Sequence, residues 1–536
     1  MQATSGGTPL PVCQDPGGQE LPGQIDTGPE REDVVRGVQA DGGETHDVPV
    51  VHAQPDAGNE FPGGSNRQLF AVPTSPVDLS GFATPEWIPA DYQVRGVKWL
   101  ATRIGSALFL PPGFGKTSIV LAAKQQVHTY KLGSRMLVIA PLTAAVTTWM
   151  AEPRKWNQFL SLKVALARGP DRAAILMDES NDVVVINYDA LEWVAPLLAR
   201  GHSFTILACD ELTRLKHIQS KRFKLLKPLL SSFTFRWGMT GTPAANGLLD
   251  LFGQVMVLDM GQRLGRYITH FRSKYFYQKP WDQYRYYISD ESAGKLVDTI
   301  KDICMYMNPT EFLDLPPLID IIRPVVLPAA ARKQYKELED QFILALESGF
   351  VTAANAGVLT SKLRQFTGGA VYLPGEIRVS AEVHSAKLDA LDDLIEELAE
   401  EPLMVAYQFE HEFERLIKRY PKAKFIKGGM TKTQLQTTVD DWNTGAHPVL
   451  FVQPSAAALG LNLQFGGHKL CWFTLTYNLE EYIQLIARLL RKGQTKTVMN
   501  YILAIEDTID ITVSKVLVEK DITQDKVFAA LQAIKV

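Results

Sequence analysis

From about residue 85 onward, apolar residues in this chain come in short runs separated by stretches with helical spacing. Ala107–Leu110, Met136–Ala140, Val183–Ile186 and Phe204–Cys209 are such runs in the first half. They are too short for helices and lack the polar alternation of a half-exposed strand. Runs of this kind predict buried parallel strands in a doubly wound α/β lobe. A second series, Leu403–Tyr407, Ala423–Ile426, Val449–Val452 and Lys469–Phe473, predicts a second lobe of the same kind. Residues 259–315 are rich in aromatics and charges, with helical stretches and little strand signal. Pro316-Pro317 then breaks the chain, and residues 330–370 return to helical spacing. The expected fold class is α/β, with two tandem parallel-sheet lobes over residues 76–310 and 311–536. Each lobe carries a helical insertion, near 259–310 and near 330–370.

Residues 1–75 lie outside this pattern. Residues 1–66 hold 12 Gly and 8 Pro, with eleven acidic and two basic side chains, a net charge of −9. Apolar residues there are isolated, so the segment cannot bury enough surface to offset the entropy of ordering, and disorder is expected. The remaining residues carry 53 basic and 48 acidic side chains, a net of +5, which is compatible with binding a phosphate backbone. No run of about 18 apolar residues predicts a membrane span, and the N-terminus does not read as a secretory signal. The four cysteines form no CxxC pair, so neither a zinc site nor a disulfide framework is predicted, and a reducing cytoplasm fits them.

Four short motifs carry candidate chemistry. Pro112-Gly113-Phe114-Gly115-Lys116-Thr117-Ser118 follows an apolar strand and opens the helix from Ile119, the context of a phosphate-binding loop. Its glycines let backbone N–H groups approach phosphate, and the helix N-terminus adds partial positive charge. The first glycine of the usual pattern is replaced by Leu110. Asp210-Glu211 ends an apolar run about 95 residues later. That position suits Asp210 to a magnesium ion and Glu211 to the attacking water. Thr240-Gly241-Thr242-Pro243 reads in isolation as a turn; small hydroxyl residues beside Gly at a strand end also suit a loop that senses the nucleotide. Gln484, Arg488 and Arg491 fall at i, i+4 and i+7, which predicts one helix face presenting two guanidinium groups to a cleft.

In order, these motifs resemble those of the superfamily 2 helicase-related ATPases, and within them the Swi/Snf-like branch, over residues 86–512. Tyr92-Gln93 is similar to the adenine-contacting Q motif, and Pro112–Thr117 to motif I. Ile139–Thr143 with Trp149, Glu152, Lys155 and Trp156 resembles motif Ia and its W-x-x-E-x-x-K-W continuation. Asn187-Tyr188 resembles the motif that follows. Asp210-Glu211 resembles motif II, and Thr240–Pro243 with Asn246, Leu251 and Phe252 resembles motif III. Lys387–Leu391 resembles the helix that opens the second lobe, and Ser455–Ala457 with Gly460–Gln464 resembles motif V. Gln484, Arg488, Arg491, Gly493 and Gln494 match motif VI. Departures stand at Thr213, where DEAH-type members carry His, and at Ala457-Ala458-Leu459, where glycines are usual. Thr474 and Tyr477-Asn478-Leu479 replace the Asp and Trp-Asn-Pro that usually precede motif VI.

The resemblance implies ATP hydrolysis between two RecA-like lobes, with ATP and Mg2+ as cofactors. It assigns catalysis to Lys116, Asp210, Glu211, Arg488 and Arg491. It assigns nucleotide contacts to Tyr92, Gln93, Pro112, Gly113, Phe114, Gly115, Lys116, Thr117, Ser118 and Gln484, and the metal to Thr117 and Asp210. Nucleic-acid contacts fall to Pro141, Thr143, Asn187, Thr242, Ser455 and Asn462. The expected partner is DNA, duplex or branched, ahead of RNA, with no membrane. The expected setting is the cytoplasm of a bacterial cell or phage-infected host. Two other readings stay open: a helicase that separates DNA or RNA strands, and a non-hydrolysing nucleic-acid clamp or scaffold.

Overall fold

The structure is a computed structural model. It describes residues 84–129, 135–280, 282–307, 312, 314–347, 353–373, 379–399, 401–457 and 460–532. The expected disorder of residues 1–75 lies outside them.

The first lobe contains β1 (Gly105–Phe109), β2 (Arg135–Ala140), β3 (Val164–Leu166), β4 (Val183–Asn187), β5 (Phe204–Asp210) and β6 (Phe235–Thr240). After two helices come a hairpin of β7 (Tyr277–Lys279) and β8 (Asp282–Tyr287), then β9 (Cys304–Tyr306). The sheet runs β3-β4-β2-β5-β6-β1-β9 and is parallel throughout. Alternate residues of its strands feed two cores. Ala107, Phe109, Leu137 and Ile139 join one; Leu108, Leu110, Met136 and Val138 join the other. Both faces are therefore covered by helices, which is why these strands read as continuous apolar runs.

The second lobe is built from β10 (Leu318–Val325), the small antiparallel pair β11 (Ala370–Tyr372) and β12 (Ser380–Glu382), then β13 (Leu403–Ala406), β14 (Lys424–Ile426), β15 (Val449–Val452), β16 (Lys469–Trp472) and β17 (Val498–Ile505). Its main sheet, β10-β17-β16-β13-β15-β14, is also parallel and two-faced. All eight strand runs read from the sequence are strands here.

The helical insertion expected near 259–310 needs correction, because it contains the β7–β8 hairpin and β9, the edge strand of the first sheet. β9 is three residues long, too short for a periodic signal, and the hairpin is written in Tyr, Gln, Lys and Arg. β3, β10 and β17 had also escaped the pattern. β10 is an exposed edge strand carrying Asp320, Arg323 and Pro324, and proline is tolerated only at such an edge. β17 is interrupted by buried Asn500, whose amide donates to Asp320 Oδ1 (2.7 Å) and Tyr482 (2.8 Å) and accepts from the Trp472 indole (3.0 Å). A fully bonded Asn is tolerated in a core.

The C-terminal helix Ile509–Gln532 touches both lobes, packing on β17 and on the helix Asp290–Ile300 and β9 of the first. From it Lys520 donates to the Tyr477 carbonyl (2.8 Å) in the second lobe and to Asn246 Oδ1 (3.4 Å) in the first.

Candidate functional site

Strand order sets the site. β5, β6 and β1 are neighbours, and the register pairs Phe109 with Thr240 and Asp210 with Met239. Their C-terminal ends therefore lie side by side, bringing together the loop after Phe109, the Asp210-Glu211 pair and Thr240. Ligands of open parallel sheets bind at such carboxyl ends.

The loop after β1 carries glycines at φ +91° (Gly113) and +68° (Gly115), ahead of the helix Lys116–Thr129. A Cβ on Gly115 would stand 2.6 Å from the Gln93 amide nitrogen, so this position excludes a side chain as well as requiring left-handed backbone. Gln93 Oε1 in turn accepts from the Ala90 N–H (2.9 Å), which fixes the amide against the loop. Tyr92 is buried, its ring 5.2 Å from Phe114 and 5.4 Å from Phe312. It backs the loop rather than opening onto it. The Lys116 ammonium donates to the Leu110 (2.8 Å) and Pro111 (3.2 Å) carbonyls. Burial lowers its pKa; Glu211 and Asp210 oppose that, while Arg488 and Arg491 add to it. Ser118 donates its hydroxyl to Glu152 (2.5 Å), which also accepts from Lys155 (2.9 Å) and Trp156 (3.0 Å). The side chain of Ser118 is thus committed to the helix Thr148–Lys155, leaving its first-turn N–H for an anion.

Asp210 is buried, and its Oδ2 accepts from the Trp149 indole (2.9 Å). Burial raises its pKa against the pull of Trp149 and Lys116. Glu211 sits at φ 54°, ψ 62°, a left-handed conformation rare for a residue with a long side chain. Tyr188 clamps it, donating its hydroxyl to the Asp210 carbonyl at 2.8 Å, with the Glu211 carbonyl at 3.2 Å. Thr240 donates to Glu211 Oε2 (3.3 Å) and accepts from the Thr242 N–H (3.2 Å). Burial pushes the Glu211 pKa up to about 7; Lys116 pulls it down, Glu480 and Asp210 add to the rise, and Thr240 opposes it. A carboxyl titrating near neutrality suits a general base.

The second lobe supplies the other wall. The helix Leu479–Leu489 presents Gln484 and Arg488, both buried rather than spread on a solvated face. Burial first and Arg491 second push the Arg488 pKa down to about 10, while Glu211 holds it up. The single-face expectation for Arg491 is corrected. The helix ends at Leu489, and Arg491 follows in a turn whose N–H bonds the Leu489 carbonyl (3.2 Å). The turn serves the site better than a third helical position, because a Cβ on Gly113 would stand 3.6 Å from both Nε and Nη2 of Arg491. An arginine of one lobe thus lies against the phosphate loop of the other. Gln484 donates to Glu480 (3.1 Å), a residue the motif reading passed over. Burial raises the Glu480 pKa, while Arg214 and Lys216 of the first lobe pull it down. Tyr188 and Trp149 lay within quoted motifs without a role; the chemistry that marks them is a polar ring at a strand end or helix buried beside the acids.

The nucleic-acid candidates divide. Ser455 and Asn462 are exposed, and Pro141, Thr143 and Asn187 partly so. Thr242 is corrected. It is 1% exposed and sits in the loop beneath Glu211, where no phosphate backbone can touch it. A Cβ on Gly460 would lie 3.3 Å from the Thr148 hydroxyl, so the loop before Asn462 faces the first lobe across the cleft.

Of the departures, Thr474 donates to buried Glu412 (2.7 Å) and accepts from Lys387 (3.5 Å), whose ammonium pairs with Asp510 (2.8 Å). Thr474 thus joins a buried polar network with Glu412, Lys387 and Asp510. Thr213 is buried, and its hydroxyl has no hydrogen-bond partner among the described residues.

The donor set fits a nucleoside triphosphate: two left-handed glycines, a helix N-terminus, a lysine, and two arginines from the opposite wall. Among the described residues no group of three His, Cys, Asp or Glu is placed to hold a metal alone. Thr117, buried in the first turn of the helix Lys116–Thr129, and Asp210 are hard oxygen donors of the kind a magnesium ion takes.

Two parallel α/β lobes with a phosphate loop, a carboxylate pair and cross-cleft arginines define a two-lobed P-loop ATPase. The SNF2-related domain model matches residues 92–367, and the helicase conserved C-terminal domain model matches residues 386–493. The chain belongs to the SNF2-related family of ATP-hydrolysing enzymes. It is 32% identical over 465 residues to protein p41 of Acyrthosiphon pisum secondary endosymbiont phage 1, covering 83% of this chain and 98% of that one. It is 25% identical to an ATP-dependent helicase of Mycoplasma pneumoniae (80% of this chain, 41% of that one). The chromatin remodeling factor mit1 of Schizosaccharomyces pombe is 24% identical (78% and 31%). The chain spans less than half the length of these last two. The solved Sulfolobus solfataricus SWI2/SNF2 ATPase core in complex with dsDNA aligns at TM-score 0.40 and 20% identity, over 83% of this chain and 94% of that one. No helix of the described residues is long and apolar enough to cross a membrane.

Proposed function

We propose that the chain is an ATP-driven translocase on duplex or branched DNA. The observation that carries this reading is the contact of Arg491 with the phosphate loop at Gly113, which makes a complete site depend on closure of the two lobes. Gln93 reads adenine, and first-turn N–H groups with Lys116 hold the phosphates. Thr117 and Asp210 would hold a magnesium ion, which would supply charge neutralisation and orientation of the phosphates. Glu211, held by Tyr188 and Thr240, takes the proton of the attacking water, and Arg488 with Arg491 stabilises charge on the transferred group. Each cycle of closure and opening moves the exposed Ser455 and Asn462 of one lobe relative to Pro141, Thr143 and Asn187 of the other. Those residues would meet phosphate and sugar, so affinity falls steeply with salt and ignores base sequence. Support for DNA comes from the helicase and remodelling relatives and from the net +5 beyond residue 66.

Phosphate release measured with single-stranded, blunt duplex and forked DNA and with RNA tests the reading. Strongest stimulation by duplex or forked DNA, with triplex displacement and no unwinding of a blunt duplex, is expected. Stimulation by RNA alone, or none by any nucleic acid, overturns it.

A further inference from the structure

The stretch Arg266–Tyr287 takes no part in the ATP site. Its 22 residues contain nine aromatic rings and five Lys or Arg against one Asp. The structure sorts the rings into two sets. Phe271 and Tyr275 are core: Phe271 lies 5.0 Å from Phe252, 5.5 Å from Tyr275 and 5.3 Å from Phe276. That packing fixes the helix Ile268–Tyr275 and the root of the β7–β8 hairpin. Among the described rings of the other set, Tyr286 and Tyr287 are half-buried and two are exposed. Tyr277 is 52% exposed, and Tyr267, on the same segment, is 64% exposed.

Cross-strand pairing sets Tyr277 opposite Tyr287, with ring centroids 5.9 Å apart and planes 30° from parallel. Cations border the rings: Lys279 Nζ lies 4.3 Å from the Tyr287 ring centre and the Arg272 guanidinium 4.5 Å from that of Tyr286. Arg285 and Lys274 are exposed. Core packing does not call for exposed tyrosines on a hairpin, and a solvated turn does not call for this many rings. A row of aromatic faces interleaved with cations is the chemistry that stacks bases and neutralises the phosphates between them.

We propose that this hairpin is a second nucleic-acid contact, one that takes unpaired nucleotides by stacking a base on Tyr277 and holding the flanking phosphates with Lys279 and Arg285. It rests on the DNA reading above for the presence of a nucleic acid, and adds that the preferred substrate carries an unpaired strand.

The test is fluorescence anisotropy of the full chain with labelled oligo-dT and oligo-U of about 20 nucleotides, long enough to exceed one stacking site, and with a blunt duplex. Wild type, Tyr277→Ala, Tyr277→Phe and the double variant Lys279→Ala/Arg285→Ala are compared. Tyr277→Ala is expected to weaken oligonucleotide binding by about 5- to 100-fold, the worth of one stacked base, and duplex binding by less than about twofold. Tyr277→Phe restores the oligonucleotide, and the double variant flattens its salt dependence. Whether dT or U binds more tightly tells which polymer supplies the strand. Equal oligonucleotide binding by wild type and Tyr277→Ala overturns the proposal and points the surface to a protein partner. A wild type that binds duplex but not oligonucleotide overturns this proposal alone. Binding of neither overturns the DNA reading with it.

Discussion

With Glu211 as the base, the hydrolysis rate follows the ionised fraction of one carboxyl. At a pKa of about 7 that fraction is roughly half at pH 7 and roughly a tenth at pH 6, so the rate falls about tenfold per pH unit on the acid side. Burial is the largest cause, and Lys116 works against it. Glu480, reaching in from the second lobe, and Asp210 add repulsion. Glu480→Gln removes that repulsion and keeps a side-chain oxygen that can accept from Gln484, so the acid limb should move to lower pH by up to about one unit, and the rate at pH 6 should rise severalfold. Single-turnover phosphate release between about pH 5.5 and pH 8.5 reads both effects. The same shift has a stability sign. A carboxyl whose folded pKa lies above its ordinary 4.5 favours folding below about pH 4.5 and loses that contribution as pH rises through about 7. Glu211→Gln should therefore abolish turnover while raising the melting temperature at pH 8 and leaving it unchanged at pH 4.5. A rate flat across the window, or a limb that Glu480→Gln moves to higher pH, refutes the assignment.

Two further outcomes follow from buried polar groups. Tyr188→Phe removes the hydroxyl that holds the Asp210 and Glu211 carbonyls; it should cost about 1–3 kcal/mol by chemical denaturation and lower kcat more than KM, because the left-handed Glu211 loses its clamp. Lys387→Met leaves Asp510, 6% exposed, without its cation and should cost about 3–5 kcal/mol, read as a lower denaturation midpoint.

The sequence spoke most clearly where burial was two-sided. β1, β2, β4, β5, β13, β15 and β16 are unbroken apolar runs because helices cover both faces of each sheet. It spoke less clearly at the edges. β10 carries Asp320, Arg323 and Pro324 because one side of it has no neighbour, and β9 is too short to show a period. Lys116, Asp210, Glu211 and Arg488 could be placed from local context, since each stands next to a strand or helix signal. Arg491 was read with the wrong geometry: helical spacing was extended two residues past Leu489, and no local pattern announces that a turn will aim a guanidinium across a cleft. Thr242 failed for the opposite reason, since a small hydroxyl in a Gly-Pro turn reads as exposed, and only the stacking of three strand ends buries it. Tyr188 and Glu480 act on groups distant in sequence, through a hydrogen bond to the Asp210 carbonyl and through charge repulsion on Glu211, which no spacing rule connects.

The central claim is that the ATP site is completed across two lobes. Steady-state phosphate release from ATP in saturating blunt duplex DNA, compared for wild type, Lys116→Ala and Arg491→Ala, tests it most directly. The account predicts a loss of about 10²-fold or more for each variant, with ATP binding retained in Arg491→Ala because that arginine belongs to the closed state. Full activity in Arg491→Ala beside an inactive Lys116→Ala would contradict it, leaving a phosphate loop that works without the second lobe.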